Sequence, residues 1–423
     1  MAEKIVVSEL IKIFGNHPQH ALKMLKDGKN KDEILKETGY TVGVHNVSFT
    51  INDGEIFVIM GLSGSGKSTI LRCLNRLIEP SAGKIIIDGV NIMDLKDKEL
   101  RNFRQSKTAM VFQQFALLPH RTVLENTVYG LEVQGISKDQ REKKAFQTLD
   151  AVGLKGYENQ YPSQLSGGMK QRVGLARALT NDADILLMDE AFSALDPLIR
   201  EEMQDELLTL QEKVRKTIVF ITHDLNEALK LGDRIAFLKD GALVQIGTPE
   251  EIVKNPANDY IAKFVKGVDK SKILTAEDVM KKPQPHMLLR DGPNVALRIM
   301  KQNGISSVYV LDKQKHLKGI ITVDAALEAR KAGVISLSEI ELEQGPIVRE
   351  DTPVLDTIGI IVESKYPIAV VNEEGKLVGI IVRGSVLSAL APDNSDDVEN
   401  EQTSLPLSDT DIPTDHSNNQ EGV

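Results

Sequence analysis

Apolar runs with strand character recur at Ile56–Met60, Ile185–Met188, Ile218–Ile221 and Ile235–Leu238, and helical stretches lie between them. Over residues 1–265 this alternation predicts a mostly parallel α/β sheet. A segment of mixed charge, His17 to Tyr40, carries Leu22, Leu25, Ile34 and Leu35 at roughly helical spacing and predicts one or two short helices. Further on, the pattern repeats itself. "VYVLDKQKHLKGIITVDAALEA" (Val308–Ala329) matches "IAVVNEEGKLVGIIVRGSVLSA" (Ile368–Ala389) at an offset of 60 without a gap. Val310 pairs with Val370, Leu317 with Leu377, Gly319 with Gly379, Ile320 with Ile380 and Leu327 with Leu387. Each copy reads strand, turn, strand, helix. A unit of about 60 residues buries too little surface alone, so two copies predict a pseudo-symmetric pair.

Composition bounds the rest. A chain of 423 residues suggests two or three domains, and 41% hydrophobic with 26% charged residues is a globular balance. The single cysteine, Cys73, excludes an internal disulfide or a Cys-based zinc site and points to a reducing compartment. It reads as a small buried hydrophobe in the helix after Gly66. No apolar run approaches the roughly 20 residues of a membrane span, and "MAEKIVVSEL" lacks a signal peptide's apolar core. Work at a membrane would therefore go through a partner. Nine of the 61 acids fall in residues 391–423, which hold no Lys or Arg and are expected to be disordered. The remaining 52 acids nearly balance the 51 bases, which argues against nucleic acid as a partner.

Three motifs carry chemistry. "GLSGSGKST", Gly61 to Thr69, fits GxxxxGK[ST] at every fixed position, between a strand Glu55–Met60 and a helix Lys67–Leu77. Gly61, Gly64 and Gly66, with Ser63 and Ser65 between them, let backbone N–H groups curl around phosphates. Lys67 reaches the β- and γ-phosphates, Ser68 ligates Mg²⁺, and Thr69 follows in the helix. "ILLMDE" ends a strand in two acids: Asp189 to hold Mg²⁺ and Glu190 to polarise the attacking water. "LSGGMKQR" places Ser166, Gly167 and Gly168 at a second phosphate-binding helix start.

Together these motifs resemble an ABC-type ATPase. The resemblance implies further roles. In "VFQQF" it gives a metal-contacting Gln, with Gln113 fitting better than Gln114. In "SALD" it sets Asp196 at a subunit seam, and in "ITHD" it sets His223 on the γ-phosphate. It gives Phe14 of "KIFG" an adenine to stack on, although a core Phe is nearly as good a reading. The usual Gln after LSGG is Met169 here. The two helix starts are inferred to grip ATP across a head-to-tail homodimer.

Longer stretches, such as "YPSQLSGGMKQRVGLARALTNDADILLMDEAFSALDPLIREEMQDEL", resemble the ATPase subunits of glycine betaine/proline betaine importers. The segment between Gly15 and Val42 and the C-terminal repeats, which resemble a tandem CBS pair, are also typical of that group. The expectation is an ABC ATPase domain over 1–265 with an insert at 16–41, a linker at 266–274, CBS repeats at 275–331 and 332–390, and an acidic tail at 391–423. The implied cofactors are ATP and Mg²⁺. The implied partners are an integral membrane permease, a substrate-binding protein or domain, and a second ATPase copy at the cytoplasmic face of the membrane. Carnitine or choline remain alternative substrates, and a soluble non-transport ATPase or a ligand sensor are the rival classes. In the first repeat "GIITVDA" has Thr322 followed three places on by Ala325, where a ribose-binding CBS module often has Asp; the second has Val382 and Ser385. A charge contrast accompanies this: 271–331 carries 11 bases and 6 acids, and 332–390 carries 4 and 9. Lys313, Lys315, His316 and Lys318 share one turn, read either as a solvated hairpin or as a contact for anionic lipid or a cyclic dinucleotide. The segment Phe115 to Gly130 is expected to offer exposed apolar residues, Leu117 and Leu118 among them, to the permease.

Overall fold

The computed structural model describes residues 2–390 apart from Gln114; the acidic stretch 391–423 and Gln114, the second choice for the metal-contacting Gln, therefore lie outside the described residues. The four apolar runs become the centre of one six-stranded sheet. Its order is Ala242–Gly247, Arg234–Lys239, Ile56–Met60, Thr217–Thr222, Ile185–Asp189, Thr108–Val111. The last five strands are parallel and Ala242–Gly247 is an antiparallel edge. Every residue of the strands Ile56–Met60, Ile185–Asp189 and Thr217–Thr222 is buried, which explains their unbroken apolarity.

The two faces have different covers. Val58, Met60, Leu186, Met188 and Phe220 pack with Val173, Met203 and Ala228 of three helices, Gly167–Thr180, Pro197–Val214 and Leu225–Leu231. Phe57, Ile59, Leu187 and Val219 face the other way, onto Ile70 and Leu74 of the helix Lys67–Leu74. That face is closed by Ile5, Val47 and Phe49 of a second, antiparallel sheet ordered Thr41–Asn52, Glu3–Phe14, Ala82–Ile87, Val90–Asn91. The helix Lys67–Leu74 stops three residues short of the expected Leu77.

The insert folds as two helices, Pro18–Lys26 and Lys31–Thr38. Asn30 and Glu33 form a reciprocal capping box at the start of the second. Ala21, Leu22, Leu25 and Ile34 pack on Ile13 and Val42, so the hairpin is fixed to the ends of two strands. Leu35, read as part of the same stripe, is exposed instead.

The C-terminal repeats are two three-stranded sheets of the same design. His286–Leu288 and Ile347–Arg349 each pair in parallel with the next strand, Ser307–Leu311 or Ile368–Val371, and these pair antiparallel with Leu317–Thr322 or Leu377–Ile381. Val310 faces Gly319 as Val370 faces Gly379, as the offset of 60 requires. The repeats share a core of Tyr309, Leu311, Ile320, Ala369 and Leu377. In one respect packing departs from chain order: Leu274, Ala276 and Val279, at the start of the first repeat, pack in the core of the second with Val354, Ile361 and Ile368. Lys281 then pairs with Ile380. Among the described residues no helix is long and apolar enough to cross a membrane.

Candidate functional site

The loop from Gly61 to Gly66 leaves the central strand and opens the helix Lys67–Leu74. Gly66 has φ 96°, and a Cβ there would lie 2.4 Å from the Gly43 carbonyl oxygen; Gly61 has φ 155°, and its Cβ would lie 2.3 Å from that of Leu238. Close backbone approach and left-handed torsion both exclude larger residues there. Gly64 and Ser63 are exposed at the crest, whereas Ser65 is buried and its hydroxyl has no hydrogen-bond partner. With no side-chain cap on Gly66, the first amides of the helix carry no side-chain acceptor.

Lys67 is 5% exposed and its ammonium donates to the Gly61 and Leu62 carbonyls at 2.8 and 3.1 Å. Burial lowers its pKa, while the nearby charges of Glu190 and Asp189 pull the other way. Its Nζ is 4.0 Å from Glu190 Oε1. The Ser68 hydroxyl donates to Asp189 Oδ1 at 2.8 Å, and Thr69 lies one step further into the helix. The Arg72 guanidinium reaches Asp189 Oδ2 at 3.2 Å, a contact that motif reading passed over although Arg72 is one helical turn on from Ser68.

Glu190 gathers the remaining residues. Gln113 Nε2 donates to Glu190 Oε2 at 2.9 Å, and His223 Nδ1 lies 3.7 Å from the same oxygen. Glu190 itself has φ 46°. A non-glycine residue held there costs about 1–3 kcal/mol and persists only where its surroundings impose it. The surroundings are a backbone bond from Glu190 N–H to Ile221 and a Ser193 hydroxyl donating to the Glu190 carbonyl at 2.9 Å. Ser193 was likewise missed, since a serine in a turn carries no signal of its own. Residues from four separated segments thus meet: Lys67 and Ser68, Gln113, Asp189 and Glu190, and His223.

The other expected residues stand apart from this cluster. Ser166 caps the helix Gly167–Thr180 by accepting from Met169 N–H at 3.3 Å; Gly167 is open, and a Cβ at Gly168 would lie 2.7 Å from Ile199. Asp196 is exposed and caps the helix Pro197–Val214 through Ile199 N–H at 3.1 Å. Phe14 is 41% exposed at the end of its strand, on Gly43 and beneath the Lys12 ammonium, so it is not a core residue. Cys73 is buried, which pushes its thiol up to about 12. Leu117, in the segment expected to meet the permease, is half-buried against the main core, and Leu118 beside it is half-buried too.

The ABC transporter family model matches residues 44–193, and the CBS domain model matches 274–332 and 335–392. The chain is 56% identical, over 95% of its length and 97% of the relative's, to the glycine betaine transport ATP-binding protein OpuAA of Bacillus subtilis. This chain belongs to the ABC transporter family. A second ABC transporter relative, the glycine betaine/carnitine transport ATP-binding protein GbuA of Listeria monocytogenes, is 54% identical over 92% of this chain and 98% of its own. Among solved ABC transporter structures, cbiO1 from Clostridium perfringens, part of the complex cbiONQ, is 25% identical over 63% of this chain and 94% of that one, with a TM-score of 0.51. As an ABC ATPase followed by a CBS tandem, the chain binds and hydrolyses ATP.

Proposed function

We propose that this chain is the energy-coupling ATPase of an importer for glycine betaine and related quaternary amines, proline betaine among them. The observation that carries the catalytic part is the convergence on Glu190: Gln113 at 2.9 Å, His223 at 3.7 Å and Lys67 at 4.0 Å. The free helix start and the unpartnered Ser65 hydroxyl suit phosphate oxygens. Lys67 holds the β- and γ-phosphates, Glu190 orients the attacking water and takes its proton, and His223 fixes the γ-phosphate. Phe14 supplies the face on which adenine stacks. Hard oxygen donors meet at Ser68 and Asp189, 2.8 Å apart, with the Gln113 amide across Glu190, and this set fits Mg²⁺. Bound there, Mg²⁺ would spread the charge on the phosphates.

Ser166, Gly167, Gly168 and Asp196 complete the site from a second copy, which accounts for their separation from the P-loop cluster. The permease and a substrate-binding protein are the other partners, and the subunit sits at the cytoplasmic face of the membrane. The names of the relatives support glycine betaine, with carnitine as the second reading because GbuA carries both names. Glu190→Gln tests the assignment: ATP should still bind while hydrolysis falls by roughly two orders of magnitude or more. Near-normal turnover would refute it.

The CBS pair is proposed to regulate transport through charge. Lys313, Lys315 and Lys318 are exposed in one turn, and anionic lipid or a cyclic dinucleotide fits them. Salt shortens the Debye length from about 10 Å at 0.1 M to about 3 Å at 1 M, so such a contact weakens as the cytoplasm concentrates. Truncation after Val268 should leave ATP hydrolysis but make transport in vesicles insensitive to internal salt. An unchanged salt profile would give the pair another task.

A further inference from the structure

The hairpin 16–41 carries no motif, yet it begins two residues after Phe14. Its two ends meet, since a Cβ at Gly15 would lie 2.4 Å from the Tyr40 ring. Beside them the Phe14 ring rests on Gly43, where a Cβ would lie 2.7 Å from it. The Gly43 carbonyl oxygen in turn lies 2.4 Å from a Cβ at Gly66 of the phosphate loop and 2.6 Å from one at Gly241. Gly241 is tied to the loop, its N–H donating to the Ser65 carbonyl at 3.0 Å. Lys31, the first residue of the hairpin's second helix, closes the row: its Nζ lies 2.8 Å from where a Cβ at Gly241 would be. Phe14, Gly43, Gly66, Gly241 and the Lys31 ammonium therefore form one continuous packed row beside the phosphate loop, with Gly241 buried within it.

The state of that ammonium is informative. Lys31 is half-buried, and among the described residues it makes no ion pair within 4.0 Å. Burial lowers its pKa, opposed by the more distant charges of Asp240 and Asp32. A partly desolvated cation without a close counter-charge is stabilised by an arriving anion. An ordinary surface lysine at a helix start would instead lie in water, away from the loop.

We infer that Lys31 is a nucleotide-binding residue, through which the insert brings a second ammonium, besides that of Lys67, to the negative charge of ATP from the adenosine side of the loop. This rests on the reading of Gly61 to Thr69 as the ATP site. It gives the insert a task in the known reaction: the element that anchors both ends beside the Phe14 platform also carries charge to the ligand. Because the interaction acts across the Gly241 turn, its strength should depend on ionic strength.

The test is the affinity of the purified full chain for ATP, by titration calorimetry at low and high salt. Lys31→Gln should bind ATP about fivefold more weakly at roughly 0.05 M salt, and the loss should shrink toward nothing near 0.5 M. Lys31→Arg should bind within about twofold of the natural chain, and the ligand-free melting temperature should not fall in either variant. If Lys31→Gln disturbs the hairpin, Lys31→Met, which keeps the stem, should show the same charge-dependent loss. Unchanged affinity in Lys31→Gln, a loss that Arg does not rescue, or a salt-independent loss with a lowered melting temperature would each overturn the inference. Lys67→Ala is the control: if it binds ATP as well as the natural chain, the reading of the ATP site fails, and this inference with it.

Discussion

Three strand-to-helix junctions in this molecule divide into two kinds: one leaves its helix start without a side-chain cap, and two close theirs with a hydroxyl. At the loop Gly61 to Gly66, six residues separate Met60 from Lys67, and no side chain caps the helix. In the first CBS repeat the strand Leu317–Thr322 runs straight into the helix Val323–Lys331, and the Thr322 hydroxyl accepts the Ala325 N–H at 3.3 Å. The second repeat closes its junction with Ser385, whose hydroxyl accepts from Val382 N–H at 3.3 Å and donates to the Val382 carbonyl at 2.9 Å. A helix start holds an anion only where its first amides are left open. The glycines of one junction leave them open; the hydroxyls of the other two occupy part of that space. This gives the absent ribose-type Asp at Ala325 a structural counterpart: the preceding Thr322 is committed to the helix.

The comparison breaks most severely at Gly66. Gly66→Ala forces a Cβ onto the Gly43 carbonyl in a left-handed torsion, so ATP affinity should fall more than about 100-fold. Calorimetric titration, with a melting curve to confirm folding, measures it; affinity within tenfold of the natural chain would contradict the geometry. Next comes Thr322→Ala, which removes a cap and should lower the stability of the CBS pair by about 1 kcal/mol in denaturant unfolding. ATP affinity should not change, because the cap lies outside the ATP site. The smallest effect belongs to Asp312. Although desolvation alone would raise its pKa, hydrogen bonds from His316, Lys318 and Gln314 bring it down to about 2 from 3.8. A depressed carboxylate stabilises the fold above its unfolded value and loses that contribution as pH falls through the folded one. Acid unfolding between about pH 4 and pH 2 should therefore be shallower in Asp312→Asn than in the natural chain. Identical acid limbs would mean that the turn contributes nothing.

The ease of reading differed for the same reason that the junctions differ. Lys67, Ser68, Asp189 and Glu190 announce themselves because their chemistry needs neighbours in sequence: a loop of fixed length, or an acid at the end of an apolar run. The repeat at an offset of 60 was legible because its bulged pairs, Val310 with Gly319 and Val370 with Gly379, recur in register. Arg72, Ser193 and Lys31 were silent, since each acquires its meaning from a contact across the fold. Leu35 misled: at helical spacing with buried neighbours it turns outward, because a short amphipathic stretch leaves its angle to be set by packing.

The course of the chain through the CBS pair has a mechanical consequence. Leu274–Met280, the opening of the first repeat, seats in the second; the chain then builds the rest of the first repeat and returns to finish the second. The pair is therefore strung as a closed loop rather than as two beads. A pull on the incoming segment acts on the second repeat as well as on the first. The segment that ties the two repeats together is also tied to the ATPase, since the Lys254 ammonium pairs with Asp278 at 2.6 Å.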